Sequence, residues 1–476
     1  MRSAAIISES PRLLAMVAGV GITLVVGIAV ADRPTLGVAA VAVIVGALAL
    51  FSLRLRFYPA LIVLGLAVVP SVILEGQLHG HLGMTPFSGQ ARLLSLLALL
   101  ALIRCVFERP PVRLHGAAAV AIGVFVSWTL FAVLVAYFRG NAYSGLFTDY
   151  SRQMTYVLAF VVGAAGAARA RDDRRLAQMY RSLAACSLLV SLLCIAYWAW
   201  AVFHVPALGR VFGGIASASV YDPTRSAFPF TQDSPNLAAV AIVSLAAFVI
   251  PTLAVGGRRD RRLAAVTALA ALAAVMATQS RTGLICLMAA AVPFLLTLPR
   301  GASRRRIVVV IVALSVIGTS AYTLLPSSRQ LSTHASTLLA RESIWRQATV
   351  KIAESLVLGQ GYGYSARGNF VETIPSGPYS APHTALQSAH SDYVGTLVDG
   401  GLIGGIAFGV ILLSLARLGF LGLRSLEHRP SSIGFLCVLA GMFVAMIGAS
   451  VLQSAVNATL LWLFAGIVIG RREVAR

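Results

Sequence analysis

The chain has 476 residues, of which 58% are apolar and only 12% charged. A soluble enzyme of this length carries far more polar surface, so the composition excludes one and fits a protein held in lipid. The net charge is +21, but the arginines stand in short clusters between apolar runs, which argues against nucleic acid as the partner.

Apolar runs of roughly 18–22 residues recur along the whole chain, each long enough to cross a ~30 Å hydrocarbon core. Backbone groups in lipid must be satisfied within the segment, so these runs are expected to be helices. The expected class is an all-α, polytopic membrane protein with about fourteen transmembrane helices. Their approximate cores are 13–31, 36–53, 57–74, 91–107, 117–137, 153–168, 182–203, 235–255, 263–279, 282–299, 307–325, 391–416, 432–451 and 455–470. Spans one to eleven, joined by short loops, occupy 1–325; a large, partly helical loop covers 326–390; spans twelve to fourteen occupy 391–476. The first run ends in Ala29-Val30-Ala31, the residue types of a signal-peptidase site. It is long for a signal peptide, which favours a retained anchor.

The Arg-rich connections alternate with Arg-poor ones. Arg54/Arg56, Arg104–Arg113, Arg169–Arg181, Arg258–Arg262, Arg300–Arg306, Arg417–Arg429 and Arg471–Arg476 all fall on one side, with most of the 38 basic residues. That side is expected to be cytoplasmic, with both termini there. The five cysteines lie in apolar runs without zinc or disulfide spacing, and read as packing residues.

The other side holds the longer loops 138–152, 204–234 and 326–390. Within the last, Leu338, Trp345, Ile352 and Leu356 form an apolar stripe at helical spacing over 336–356. Gly359, Gly361, Gly363, Gly368, Pro375, Gly377, Pro378 and Pro382 then break regular structure, as in a lid or substrate-lining loop.

Four places on this side could carry chemistry. His390-Ser391 meets the next apolar run at the interface, where a histidine is either a cap or a proton acceptor. Asp399 lies inside that run, where an ionisable group is costly and belongs in an interior or wet cavity. Gly401, Gly405 and Gly409 recur every four residues, a face that admits a close helix neighbour. His383 shares a face with His390 if the stretch between them is helical.

Arg281, in Thr278-Gln279-Ser280-Arg281-Thr282-Gly283, joins two spans with no room for a loop. It is either a snorkelling anchor or a planar donor fork for a phosphate. Arg225 precedes Asp233-Ser234-Pro235-Asn236-Leu237, whose Ser234 and Pro235 suit an N-cap and first helical position. A helix N-terminus beside an arginine makes an anion site. Arg341-Glu342-Ser343-Ile344-Trp345-Arg346 is a lesser candidate, otherwise a solvated face with local ion pairs. The chain has no Walker loop, Asp-x-Asp pair, His-Glu-x-x-His or Gly-x-Ser-x-Gly, so nothing in it calls for a nucleotide or metal.

Taken together, these features resemble the O-antigen ligase and polymerase superfamily of bacterial envelope enzymes. That family carries His-[Asn/Ser/Gln]-x9-Gly-x-x-[Gly/Thr/Tyr] after its large periplasmic loop, matched by His390-Ser391 through Gly401 and Gly404. Ser280-Arg281, Pro235-Asn236-Leu237-Ala238-Ala239, and Arg341 with Trp345, Gly359 and Gly361 are similar to further family motifs. Position 285 is Ile where the family has Leu. The resemblance covers roughly 220–415.

The resemblance implies a cofactor-independent, metal-independent glycosyltransferase of the bacterial inner membrane, working at the periplasmic face. Its donor would be a glycan on undecaprenyl diphosphate and its acceptor the lipid A core, as in a ligase. In a polymerase the acceptor would be a growing lipid-linked glycan. It implies His390 as the catalytic base and Arg225 and Arg281 as diphosphate-binding residues, with Arg341, Asn236, His383 and Asp399 as secondary candidates. A transporter or flippase of lipid-linked sugars is the reading from another class. Such proteins usually show repeated halves and broken helices at mid-membrane; no repeat is visible, and the polar candidates cluster at one edge.

The charge asymmetry makes a topology prediction. Reporter fusions at Arg261, Arg305 and His428 are expected to signal cytoplasm, and fusions at Ser217 and Ser376 periplasm; a periplasmic signal at Arg305 reverses every assignment.

Overall fold

The computed structural model describes residues 54–72, 100–101, 103–104, 116–143, 146–170, 173–203, 205, 234–297, 332–367, 369–374 and 383–474. After a 3-10 turn at Leu55–Phe57 come helices α1 (Tyr58–Val72), α2 (Gly116–Phe138), α3 (Leu146–Arg169) and α4 (Asp173–Phe203). Helices α5 (Pro235–Ala254), α6 (Arg258–Thr278), α7 (Arg281–Thr297) and α8 (Ser332–Glu354) follow. A hairpin of β1 (Phe370–Ile374) and β2 (His383–Gln387) precedes α9 (Asp392–Gly422), α10 (Arg429–Gly448) and α11 (Ala455–Val474). Among the described residues, six helices are long and apolar enough to cross a membrane: α2, most of α4, α5, α6, α9 and α10. The expected polytopic helical class holds among the described residues. The expected runs 13–31, 36–53 and 307–325 and most of 91–107 lie outside them.

Lipid tails are as apolar as leucine, so these helices associate through close packing rather than through exclusion from water. Glycines set the approaches. A Cβ on Gly441 of α10 would meet Cys286 Sγ at 2.9 Å and Ala290 Cβ at 3.3 Å on α7. Cys437, one turn earlier on α10, meets the Phe294 backbone one turn later on α7, so the two helices run antiparallel. Gly283 of α7 abuts Ala239 of α5, and Ser280 sits by Asn236, so α5 and α7 run parallel. Gly163 meets α11 at Leu463 and Ile467, while Gly466 and Gly470 meet Phe160 and Ala164, so α3 and α11 are also parallel. Aromatic rings tie α11 inward. Phe464 stacks on Phe248 of α5 at 4.0 Å, and Trp462 lies 5.2 Å from Phe125 of α2.

The loop before α9 carries its own small core. Ile344 and Ala348 of α8, Phe370 of β1, Ala389 and Val398 pack together, with Trp345, Ile352, Tyr364 and Val394 around them. The helix predicted over 336–356 is present, and Trp345 and Ile352 face this core. Leu356 falls beyond the helix end and is exposed, so Ile344 and Ala348 complete the stripe instead. The hairpin was not expected. Alternation in Phe-Val-Glu-Thr-Ile buries Phe370 and exposes Val371, as a half-buried strand requires. The Gln347 amide braces it, donating to Val371 O at 2.7 Å and accepting from its N–H at 2.9 Å. His383 pairs opposite Ile374 in this hairpin. It therefore lies on a strand and does not share a helical face with His390.

The largest departure from a simple bundle is inside α9. At Gly401 the backbone adopts φ 57°, ψ −150°, which breaks the helix. The freed groups are taken up by the segment that enters from the loop. Gln360 and Gly361 N–H donate to Val398 O and Asp399 O at 2.8 and 2.9 Å, and Leu402 N–H donates to Leu356 O at 2.8 Å. The same segment reaches α2, where Tyr362 N–H donates to Ala132 O at 2.8 Å. Residues 355–367 are thus a wedge between α2 and α9 rather than a lid over them. Nor do Gly401, Gly405 and Gly409 form one packing face. Gly409 has open space and Gly405 touches only Leu397 of its own helix, whereas Gly400 and Gly404 face Trp128 of α2.

Gly401→Ala should lower the thermal unfolding temperature of the detergent-solubilised protein. Its Cβ would stand 2.5 Å from Val357 O at a positive φ, a strain of about 1–3 kcal/mol. Gly409→Ala, where a Cβ meets nothing within 4 Å, should be neutral or stabilising by up to about 1 kcal/mol.

Candidate functional site

Three helices begin on the same face in closely similar ways. Ser234 caps α5 with φ −142° and ψ 96°, accepting from Leu237 N–H at 3.4 Å, and Pro235 fills the first turn, as its sequence predicts. Ser280 accepts from Gly283 N–H at 2.9 Å at the start of α7. Ser391 caps α9, accepting from Val394 N–H at 3.5 Å and donating to Met446 O at 3.1 Å. The residues before the last two caps, Gln279 and His390, have φ of 48° and 49° and are the only non-glycine residues with positive φ among those described. A left-handed residue turns the chain sharply, so each helix starts without a lead-in. At His390 the imidazole is thereby fixed at the bend where the loop becomes a span.

The registers bring the candidates to one level. Cys286 of α7 lies against Gly441 of α10. Arg281 is five residues further toward the α7 N-terminus, about 7.5 Å along the axis, and Met446 is five residues further along antiparallel α10. Met446 O is also the acceptor of Ser391. A Cβ on Gly448 would lie 3.2 Å from Arg341 Nη1. Arg281 and the Arg341–His390 pair therefore flank the C-terminal end of α10 from different helices. Ser280 Oγ donates to Asn236 Oδ1 at 2.7 Å, which locks the α5 and α7 termini side by side. Asn457 Nδ2 donates to Leu237 O at 3.1 Å and ties α11 to the same place.

His390 is half-buried, and Trp345 Nε1 holds the preceding residue by donating to Ala389 O at 3.1 Å. Burial, and secondarily the positive charge of Arg341, hold the imidazole pKa below the usual histidine value. It is neutral at neutral pH and able to accept a proton. The neighbouring Arg346 pairs with Glu342 at 2.6 Å on the exposed face of α8. The Arg341–Arg346 segment is therefore split, one arginine toward the site and one solvated. Three helix N-termini carry partial positive charge at this face, and Arg281 stands exposed at one of them. Such an arrangement favours a bound anion beside a neutral base.

Asp399 lies apart from this group. Its carboxylate accepts from Gly363 N–H at 3.0 Å and Ser365 N–H at 2.7 Å, so it anchors the wedge. Arg225 lies outside the described residues. Asp392 was missed by sequence reasoning: it is buried, and its Oδ2 accepts from Leu452 N–H at 3.0 Å. The signal was available, because an aspartate in the first turn of an apolar run obeys the same rule that singled out Asp399.

A histidine at a helix boundary, with arginines and capped helix N-termini at the same level of a helical bundle and a structured loop beside them, gives a polytopic helical membrane protein with a cationic face. Residues 265–409 match the family model described as O-antigen ligase, which supports a ligase-like superfamily for this part of the chain. The matched segment contains Arg281, Arg341, His390, Asp399, Gly401 and Gly404, and excludes Asn236 and Arg225. A comparison with curated proteins gives no match.

The Ser280–Asn236 bond generates a further expectation. Ser280→Ala removes a helix cap and an interhelical bond, and should cost about 1–2 kcal/mol in unfolding measurements in detergent. The double variant with Asn236→Ala should be less destabilised than the sum of the two single variants, because one shared bond is lost in each.

Proposed function

We propose that this protein transfers a glycan from undecaprenyl diphosphate to an acceptor sugar of the lipid A core, at the periplasmic face of the bacterial inner membrane. One observation carries the reading: His390, held neutral at a bend beside Arg341, shares the outer end of α10 with Arg281 and the α5 and α7 N-termini. The acceptor hydroxyl attacks the anomeric carbon, the bond from that carbon to the diphosphate oxygen breaks, and the centre inverts. His390 takes the hydroxyl proton as the new glycosidic bond forms. Negative charge grows on the departing diphosphate, where fixed cationic donors act most strongly. Arg281 and, in this reading, Arg225 supply them, with the capped helix ends behind. No metal is needed, so EDTA should leave turnover unchanged. A polymerase would use the same chemistry with a second lipid-linked unit as acceptor.

The test uses purified protein in detergent with undecaprenyl-diphosphate-linked glycan and either lipid A core or excess donor. Product on the core supports ligation, whereas a ladder from donor alone means polymerisation. His390→Ala should cut transfer about 10²–10⁴-fold at normal protein level; wild-type turnover would leave His390 an interfacial cap. The acid limb of the rate profile should lie below pH 6.5, because the lowered pKa keeps the base neutral there. Arg341→Gln should move that limb upward, while burial still keeps it below the ordinary histidine value.

Arg281→Lys keeps the charge but loses the two-pronged donor geometry. Severe loss of transfer with normal membrane levels is expected, and near-full activity in Arg281→Ala would reduce the residue to a headgroup anchor.

A further inference from the structure

Running inward from Asp392 along α9, among the spans, lies a cavity of about 350 Å³ that the transfer chemistry above does not use. Its volume falls at the lower end of the ~300–1,000 Å³ of small-molecule sites. The walls come from α2, α3, α9, α11, the wedge and the turn before α11. They are not the walls of a lipid-filled gap. Asp392, Asp399, Gln153, Gln453, Arg367 and Ser365 line its polar side, and Trp128, Tyr143, Tyr362 and Trp462 supply aromatic rings. Polar and ionisable side chains among spans are costly and mark a functional pathway or site.

The fold explains some of these groups but not all. Asp392 and Asp399 each accept backbone N–H bonds, so each has a structural duty. Arg367 lies over the Tyr143 ring at 4.3 Å. Trp128 Nε1, by contrast, is a buried donor with no hydrogen-bond partner among the described residues. An unmet donor costs free energy unless something else fills its bond. A ring bearing several hydroxyls would do so. Its polar edge meets carboxylate, carboxamide and indole N–H, and its C–H face lies on an aromatic side chain.

We infer that this cavity is a saccharide subsite, taking one sugar ring of a glycan substrate. The inference rests on the transfer reading above, since Asp392 begins two residues after His390 and a ring held there can extend toward the base. Specificity follows from the lining. With two acidic side chains against the single Arg367, and two carboxamides, at its wall, the cavity favours neutral or amino-substituted sugars over uronic acids.

The test is binding, separate from turnover. Full-length protein in detergent is titrated with free glucose, galactose, N-acetylglucosamine, glucosamine and glucuronate, read by saturation-transfer NMR and intrinsic tryptophan fluorescence. At least one neutral or amino sugar should saturate the response, and glucuronate should bind more weakly. Trp128→Phe, which keeps the ring and removes the N–H, should weaken binding about three- to tenfold, as should Gln453→Leu. Gln153→Leu on α3 is the second check if either variant unfolds. His390→Ala should bind the sugar as wild type does. Absence of sugar binding, binding indifferent to Trp128→Phe, Gln453→Leu and Gln153→Leu, or binding of farnesol in place of sugars overturns the subsite. Sugar binding with a fully active His390→Ala would instead overturn the transfer reading and leave the subsite standing. Preincubation with separate donor or core acceptor shows whose ring competes for it.

Discussion

A helix that breaks inside a membrane must have its loose backbone groups satisfied by something other than water, and in this protein the half of the bundle that holds the break is arranged around that need. Gly401 opens α9, and residues 356–361 close it with backbone hydrogen bonds. The cost of leaving even one such group bare in hydrocarbon is several kcal/mol. The break and the wedge therefore require each other. Asp399 adds side-chain anchoring to Gly363 and Ser365. Because the wedge is fixed, α8 and the hairpin sit on the first turns of α9, and Trp345 can hold the backbone just before His390.

The same constraint shapes the site above it. His390 could not adopt φ 49° in a flexible loop without relaxing; it is overdetermined by Ser391 bonding to Met446 and by Trp345 bonding to Ala389. On α7 the arrangement is repeated in smaller form, with Gln279 left-handed and Ser280 tying Asn236. Geometric precision at this face comes from helix ends, which are stiffer than loops. The lone pairs of the three capping serines are spent on N–H groups, so the anion-attracting field is built from backbone dipoles and arginines.

Much of the site was legible because its signals are local. Ser234-Pro235 and Ser280-Arg281 state their caps within a few residues. The helix over 332–354 announced itself through periodicity. What was illegible depends on partners far apart in sequence. Gly401, Gly405 and Gly409 read as one face at helical spacing, but a break at the first of them ends that periodicity, and only its partners 40 residues earlier reveal it. The hairpin was hidden by the glycines and prolines around it, although Phe-Val-Glu-Thr-Ile alternates as a strand should. The cavity needs α2, which nothing in the family-matched segment contains.

That separation has a consequence for how the chain is made. Asn141 at the end of α2 bonds to Gln360, and Tyr362 to Ala132, across more than two hundred residues. During synthesis α2 enters the bilayer long before its wedge exists, so Trp128 must wait among lipids and earlier helices without the Gly400 and Gly404 face it packs against. The wedge, in turn, emerges just ahead of α9 and can meet the fracture in that helix as soon as it inserts. Assembly of this half is therefore expected to be sequential: a quick local closure of wedge on α9, then a slower docking of that unit onto α2. A translation pause after α2 would lengthen the interval in which this half-built face lies open to proteases and to wrong helix partners.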